Sequence, residues 1–250
     1  MLLTPSRRKP PRHDEAEKPF WISFSDLMTA LMVLFLVAMA VGLLGMTQSL
    51  RQQDQAKAGR QEAIGQCLAD VQALTRASGL NGLRLRGQTL EFGTLAEFSK
   101  NGNTLAPERE RALRALMPQV LDITRTPSCQ AWLKRLVLEG YASPEGSYLY
   151  NLNLSLERSQ RFLCVLLDAS AADALPRADR QAIRELFLVG GSSFNSAILN
   201  QPEKSRRVEL RLEFKDAGRC DSGAGSGSDC ATTPAPIPWD DDTQCPVAAR

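Results

Sequence analysis

The sequence predicts an α+β domain carried behind a single membrane-spanning helix, and three observations lead there. First, the run Phe20 to Leu44 is apolar but for Asp26, and about 20 such residues cross a bilayer core as a helix. Second, stretches with a helical repeat of apolar residues alternate downstream with stretches of period two, in the order β-α-β-α-(α)-β. That order packs helices on one face of a small mixed sheet. Third, of 250 residues, the span and a low-complexity tail leave room for one soluble domain of about 130 to 150 residues.

Residues 1–19 form a polar leader whose Arg7, Arg8, Lys9, Arg12 and Lys18 outnumber Arg51, Lys57 and Arg60 beyond the span. The positive-inside bias places this end in the cytoplasm. Ala38-Met39-Ala40 resembles a cleavage site, but the long leader and the apolar residues that continue to Leu44 favour an uncleaved signal anchor.

In the span, residues 20–45, no charge follows Asp26 until Arg51. A carboxylate toward the middle of a span costs about 2.5 to 3.5 kcal/mol, and such acids usually face a protein interior or a wet cavity. Asp26 is therefore the first candidate functional residue. The alternative places it at headgroup depth beside Phe20, Trp21 and Phe24, marking the helix start. Ser25 and Thr29 flank it as candidates for an ion pathway, unless their hydroxyls return to their own helix backbone.

Residues 46–78 read as a linker helix with Ile64, Leu68, Val71 and Leu74 on one stripe. The stripe can pair with a second copy or pack on its own domain. Residues 79–215 form that domain. Leu83 to Phe92 is a hairpin or bulged strand about Gly87-Gln88, and Pro107 opens a helix with Leu113, Leu116, Val120 and Leu121 on one face. Leu133 to Glu139 is a buried strand ending at Gly140. Tyr148 to Leu167 is a helix whose apolar line is Leu152, Leu156, Ser159, Leu163 and Leu167. A shorter helix covers Arg180 to Phe187, and Ser205 to Phe214 alternates as a half-exposed strand. Residues 216–250, rich in Gly, Ser, Pro and Asp, are a disordered tail or a surface strap.

Composition removes several functions. A net charge of +2 gives no basic surface for nucleic acid. The one histidine, His13, lies in the leader, so imidazole triads and zinc sites lack their parts. No nucleophile-base pair stands out, and the chain is read as a non-enzyme with no cofactor and no metal. Six cysteines show no C-x-x-C spacing. Cys220 and Cys230 are expected to close a small loop if the domain lies outside the cytoplasm, and Cys164, within FLCVLL, to pack as a small apolar residue.

Two stretches carry a resemblance. WISFSDLMTALMVLFLV is similar to the membrane segment of flagellar stator B subunits, whose single aspartate carries protons; Asp26 falls on that position. EGYASPEGSYLYNLNLSLERSQRFLCVLL, followed by SRRVELRLEF, resembles OmpA-like peptidoglycan-binding domains. Together with ELFLVGGSSFNSA, these stretches look like the B subunits of Zorya anti-phage defence systems, a likeness running from Asp14 to about Phe214.

The resemblance implies two B chains within a ring of larger A subunits in the inner membrane, anchored to peptidoglycan and signalling indirectly to cytosolic effectors. For the wall site it implies Arg158 as the arginine that grips a carboxylate, with Asn151 and Arg207 at further family positions. The family's acid position is Ser143 here, a departure for which Glu145, two residues on, is the compensating carboxylate. A lone acid without an oxygen-ligand cluster favours H⁺ over Na⁺.

Overall fold

The computed structural model describes residues 17–198, 200–216 and 245–250. They divide into two compact units, one ending at Ala56 and one running from Lys57 to Arg250. Helix α1, Glu17–Ala77, is continuous through the expected span and linker, with no break at residue 46.

In the first unit every side chain described between Phe24 and Arg51 is exposed, including Leu34, Phe35 and Leu44. A helix that is apolar all round is suited to lipid or to a surrounding protein ring rather than to water. Among the described residues, this helix alone is long and apolar enough to cross a membrane.

In the second unit the last turns of α1 fold onto their own domain. Cys67 and Val71 are buried, with Ile64, Leu68 and Leu74 packed against the same core. The stripe that sequence left open between a second copy and its own domain is thus occupied by the domain. A disulfide from Cys67 to Cys129 of α3, Pro127–Trp132, fastens it. Nearby, Arg60 donates to the Lys215 carbonyl at 2.7 and 2.9 Å and lies over the Trp132 ring.

Among the described residues the sheet has five strands: β1 Arg84–Arg86, β2 Thr89–Glu91, β3 Leu133–Gly140, β4 Phe187–Gly191 and β5 Val208–Phe214, in the order β1-β2-β5-β3-β4. Only β3 and β4 are parallel. Gly87, at φ 62°, is the first of two turn residues between β1 and β2, where a tight hairpin of the II′ type takes glycine. Leu136, Leu138, Leu210 and Leu212 enter a core shared with Leu113, Met117 and Leu121 of α2, Pro107–Thr124, and Phe162 and Leu166 of α4, Tyr148–Leu167. The expected α+β sandwich is present.

Four expectations change. The helix expected over Arg180 to Phe187 is α5, Arg177–Leu186, and Phe187 instead begins β4, an edge strand too short to show a period. Strand β5 starts at Val208, because Ser205 closes a one-turn helix, α6, Pro202–Ser205. The buried face of α4 is Asn151, Leu154, Ser155, Arg158, Ser159, Phe162, Val165 and Leu166, so of the expected line Ser159 is buried while Leu152, Leu156, Leu163 and Leu167 are half-buried. Cys164 does not pack as a free apolar residue: it is bridged to Cys245. The loop expected between Cys220 and Cys230 lies outside the described residues.

That second bridge begins a strap. Buried Asn103 donates to the Ala248 carbonyl at 2.9 Å, and its amide and carboxamide oxygen bond the Arg250 backbone at 3.1 and 3.0 Å. Arg250 also pairs with Glu157 of α4 at 2.5 Å.

Helix α4 lies unusually close to the sheet. A Cβ on Gly140 would meet the Ser155 carbonyl oxygen at 1.9 Å, and one on Gly191 would meet Ser155 Oγ at 2.6 Å. Ser159 Oγ donates to the Gly190 carbonyl at 2.7 Å. Two bare strand ends therefore seat the helix and fix where its first turn emerges.

Candidate functional site

The membrane segment offers one acid. Ser25, Asp26 and Thr29 share a turn of α1, and Thr29 Oγ1 donates to the carbonyls of Ser25 and Asp26 at 3.0 and 2.9 Å. The Thr29 proton is thereby committed to its own helix, and only the oxygen lone pairs remain for a path. The Asp26 side chain is exposed on the helix surface.

The second constellation surrounds the loop from Tyr141 to Ser147, between β3 and α4. Its backbone is tied on two sides: Tyr141 N–H donates to the Arg207 carbonyl and Ala142 N–H to the Ser193 carbonyl, both at 2.8 Å. Buried Asn151 closes the loop, its Nδ2 donating to the carbonyls of Glu145 and Ser147 at 2.9 and 3.2 Å. Ser147 caps α4 by accepting from Tyr150 N–H at 3.3 Å, satisfying one of the donors a helix start leaves unpaired.

Ser143 and Glu145 act as a pair. Ser143 is buried, and its hydroxyl donates to the exposed Glu145 carboxylate. That bond, with the nearby charges of Lys100 and Arg206, holds the Glu145 carboxyl below the usual 4.5. Sequence reading did not single out Lys100 or Arg206. Arg206 was visible in the SRRVE stretch, but nothing in the sequence places Lys100 beside this loop.

Arg158 lies beneath the loop with no exposed surface. Its Nε donates to the Gly102 carbonyl at 2.9 Å, Nη1 to Tyr141 at 2.9 Å and Nη2 to Ser99 at 3.0 Å. Burial, reinforced by Arg206, pushes it down to about 10, so it remains cationic at physiological pH. The guanidinium thus joins the 99–102 loop to the end of β3.

Arg207 is also engaged. It bonds Glu209 at 2.6 Å and stacks 4.4 Å above the Tyr141 ring. It shares a cavity of about 410 Å³ with Arg84, Glu91, Ile198 and Lys204. Burial, with Glu209 and Glu139, raises the Tyr141 phenol well above its ordinary range.

The structure therefore places Ser143 and Glu145 in one loop closed by Asn151 of α4, seats Arg158 below it, and turns Arg207 toward Glu209. An exposed carboxylate with two cations in its neighbourhood suits a ligand that carries an ammonium and a carboxylate. Among the described residues, no cluster of His, Cys, Asp and Glu is arranged to hold a metal.

Residues 6–49 match the family model described as membrane MotB of the proton-channel complex MotA/MotB, and Asp26 lies within the match. Solved structures align distantly. The OmpA-like domain of FopA1 from Francisella tularensis is 15% identical with a TM-score of 0.35, covering 54% of this chain and 82% of that one. The periplasmic domain of Helicobacter pylori MotB, residues 78–256, is 13% identical with a TM-score of 0.36 over the same shares. The Zorya protein ZorB of Escherichia coli O139:H28 is 41% identical over 206 residues, which cover 81% of this chain and 83% of that protein. On that identity and coverage, the chain belongs to the ZorB family of Zorya proteins.

Proposed function

We propose that the protein is the peptidoglycan-anchored, proton-carrying subunit of a stator-type complex that works in anti-phage defence. The observation that carries this reading is the conjunction in one chain of a lone acid in an apolar helix with a wall-type site on a stapled sheet domain. A carboxylate taken out of water has its charged form disfavoured, so it takes up a proton on one side and releases it on the other. The membrane potential supplies about 2.3 kcal/mol per charge per 100 mV, comparable with the cost of the ionised acid in the span.

Two such chains stand inside a ring of larger A subunits, because one helix alone cannot screen Asp26 from lipid. The N-terminus lies in the cytoplasm and the sheet domain in the periplasm of the inner membrane. The two disulfides support that orientation, since such bonds persist in oxidising compartments. Ion flow moves the A ring while the wall holds the domain still, and the motion reaches cytosolic effectors indirectly. At the wall, Glu145 receives the ammonium of a stem-peptide diamino acid, Lys100 and Arg206 receive its carboxylate, and Arg158 and Asn151 hold the loops in place.

Asp26→Asn tests the reading, because it keeps the shape but cannot release a proton. Phage protection is expected to be lost while co-purification with the A subunit is unchanged. Full protection by Asp26→Asn would reduce the protein to a passive tether between membrane and wall.

A further inference from the structure

Next to the Glu145 loop, the first turn of α4 presents aromatic surface that none of the described residues covers. Tyr148 is 44% exposed, and the ring of Phe194 meets it edge-on at 5.6 Å between centroids. The Asn195 amide donates to the Tyr148 hydroxyl at 3.3 Å, so the phenol is fixed in direction as well as position. An exposed Tyr148 backed by a half-buried Phe194 suits a recognition surface better than a core.

The pair is built at some cost. Ser193, a non-glycine residue at φ 52°, is fully buried, and two bonds lock it there. Its amide donates to Ser155 Oγ and its Oγ to the Tyr148 carbonyl, both at 3.0 Å. Left-handed backbone at such a residue persists only where its surroundings enforce it, and it gathers at ligand sites. Here it turns Phe194 onto Tyr148.

The rim fixes the chemistry. From Gly190 to Ile198 the polar side chains that reach the surface are Ser192, Asn195 and Ser196, none of them charged, beside a loop whose exposed acid is Glu145; Ser192 donates to Glu139 and Arg207 donates to the Ser196 carbonyl. A neutral ligand with a C–H face for the rings and hydroxyl or amide groups for the rim fits this surface. We propose that Tyr148, Phe194 and Asn195 form a glycan subsite that binds the N-acetylated sugar strand of the wall. The proposal rests on the wall-anchoring reading and extends it from stem peptide to glycan.

The test uses the full chain in detergent, titrated by calorimetry with peptide-free glycan strands released from purified wall by an amidase, and separately with a synthetic stem tripeptide. Tyr148→Ala and Phe194→Leu are each expected to weaken glycan binding about tenfold, with tripeptide binding and unfolding temperature unchanged. Glu145→Gln is expected to do the reverse, weakening the tripeptide alone. Absence of glycan binding by the parent chain, or equal glycan binding by the two aromatic variants, would overturn the subsite. Glycan binding without tripeptide binding would leave the subsite standing and remove the role given to Glu145.

Discussion

Two side chains that the sequence reading set together in the proposed wall site have opposite surroundings in the structure. Arg158 is a buried strut whose three nitrogens serve three backbone carbonyls, and Glu145 is an exposed group steered by Ser143. Arg158→Ala would leave those carbonyls without their donor in a dry site, at a cost of about 3 kcal/mol or more. Chemical unfolding of the variant is expected to report that loss, and any fall in wall sedimentation should follow from it. Glu145→Gln is expected to keep parental stability and still lose wall sedimentation. Since the Glu145 carboxyl is held below the usual 4.5, its charge persists as pH falls to that value, so sedimentation should hold down to it and drop only beneath it.

At the scale of elements, α4 shows both what the sequence disclosed and what it hid. The existence of the helix and its bounds were legible from its period, whereas its cap, Ser147, was not singled out. Its orientation was not, because the buried stripe contains Asn151 and Arg158, which a hydrophobic count assigns to solvent. Strand β4 escaped for the opposite reason: five residues ending in Gly190 and Gly191, with Leu188 exposed, give neither alternation nor a buried run. The approach of α4 to the sheet yields a sharper expectation. Gly140→Ala would drive a methyl into the Ser155 carbonyl, a backbone group that cannot step aside, so the variant is expected to lose about 3 kcal/mol or more. A melting curve matching the parent's would mean that α4 does not sit as close as described.

Over the whole molecule, α1 from Lys57 onward, the sheet and the strap are bound together by two bridges spanning 62 and 81 residues. In the loop-closure account each removes about 4 kcal/mol of unfolded-chain entropy, a large share of the 5 to 15 kcal/mol typical of a domain. Dithiothreitol is therefore expected to lower the unfolding temperature of the sheet domain by ten degrees or more, on the order of what such losses produce. Cys67→Ser/Cys129→Ser should be enough to free the root of α1, which limited proteolysis near Ile64 would detect. An unchanged digestion pattern would show that packing alone retains it.

The strap also sets a timetable for biogenesis. Cys245 is 81 residues beyond its partner Cys164, so in the proposed orientation the second bridge waits until that whole stretch has left the ribosome and crossed the membrane. A nascent chain already inserted through its first helix would dangle a sheet without its final clasp. Export stalled just short of Cys245 should then trap a species with one bridge, open to proteases that the finished protein resists.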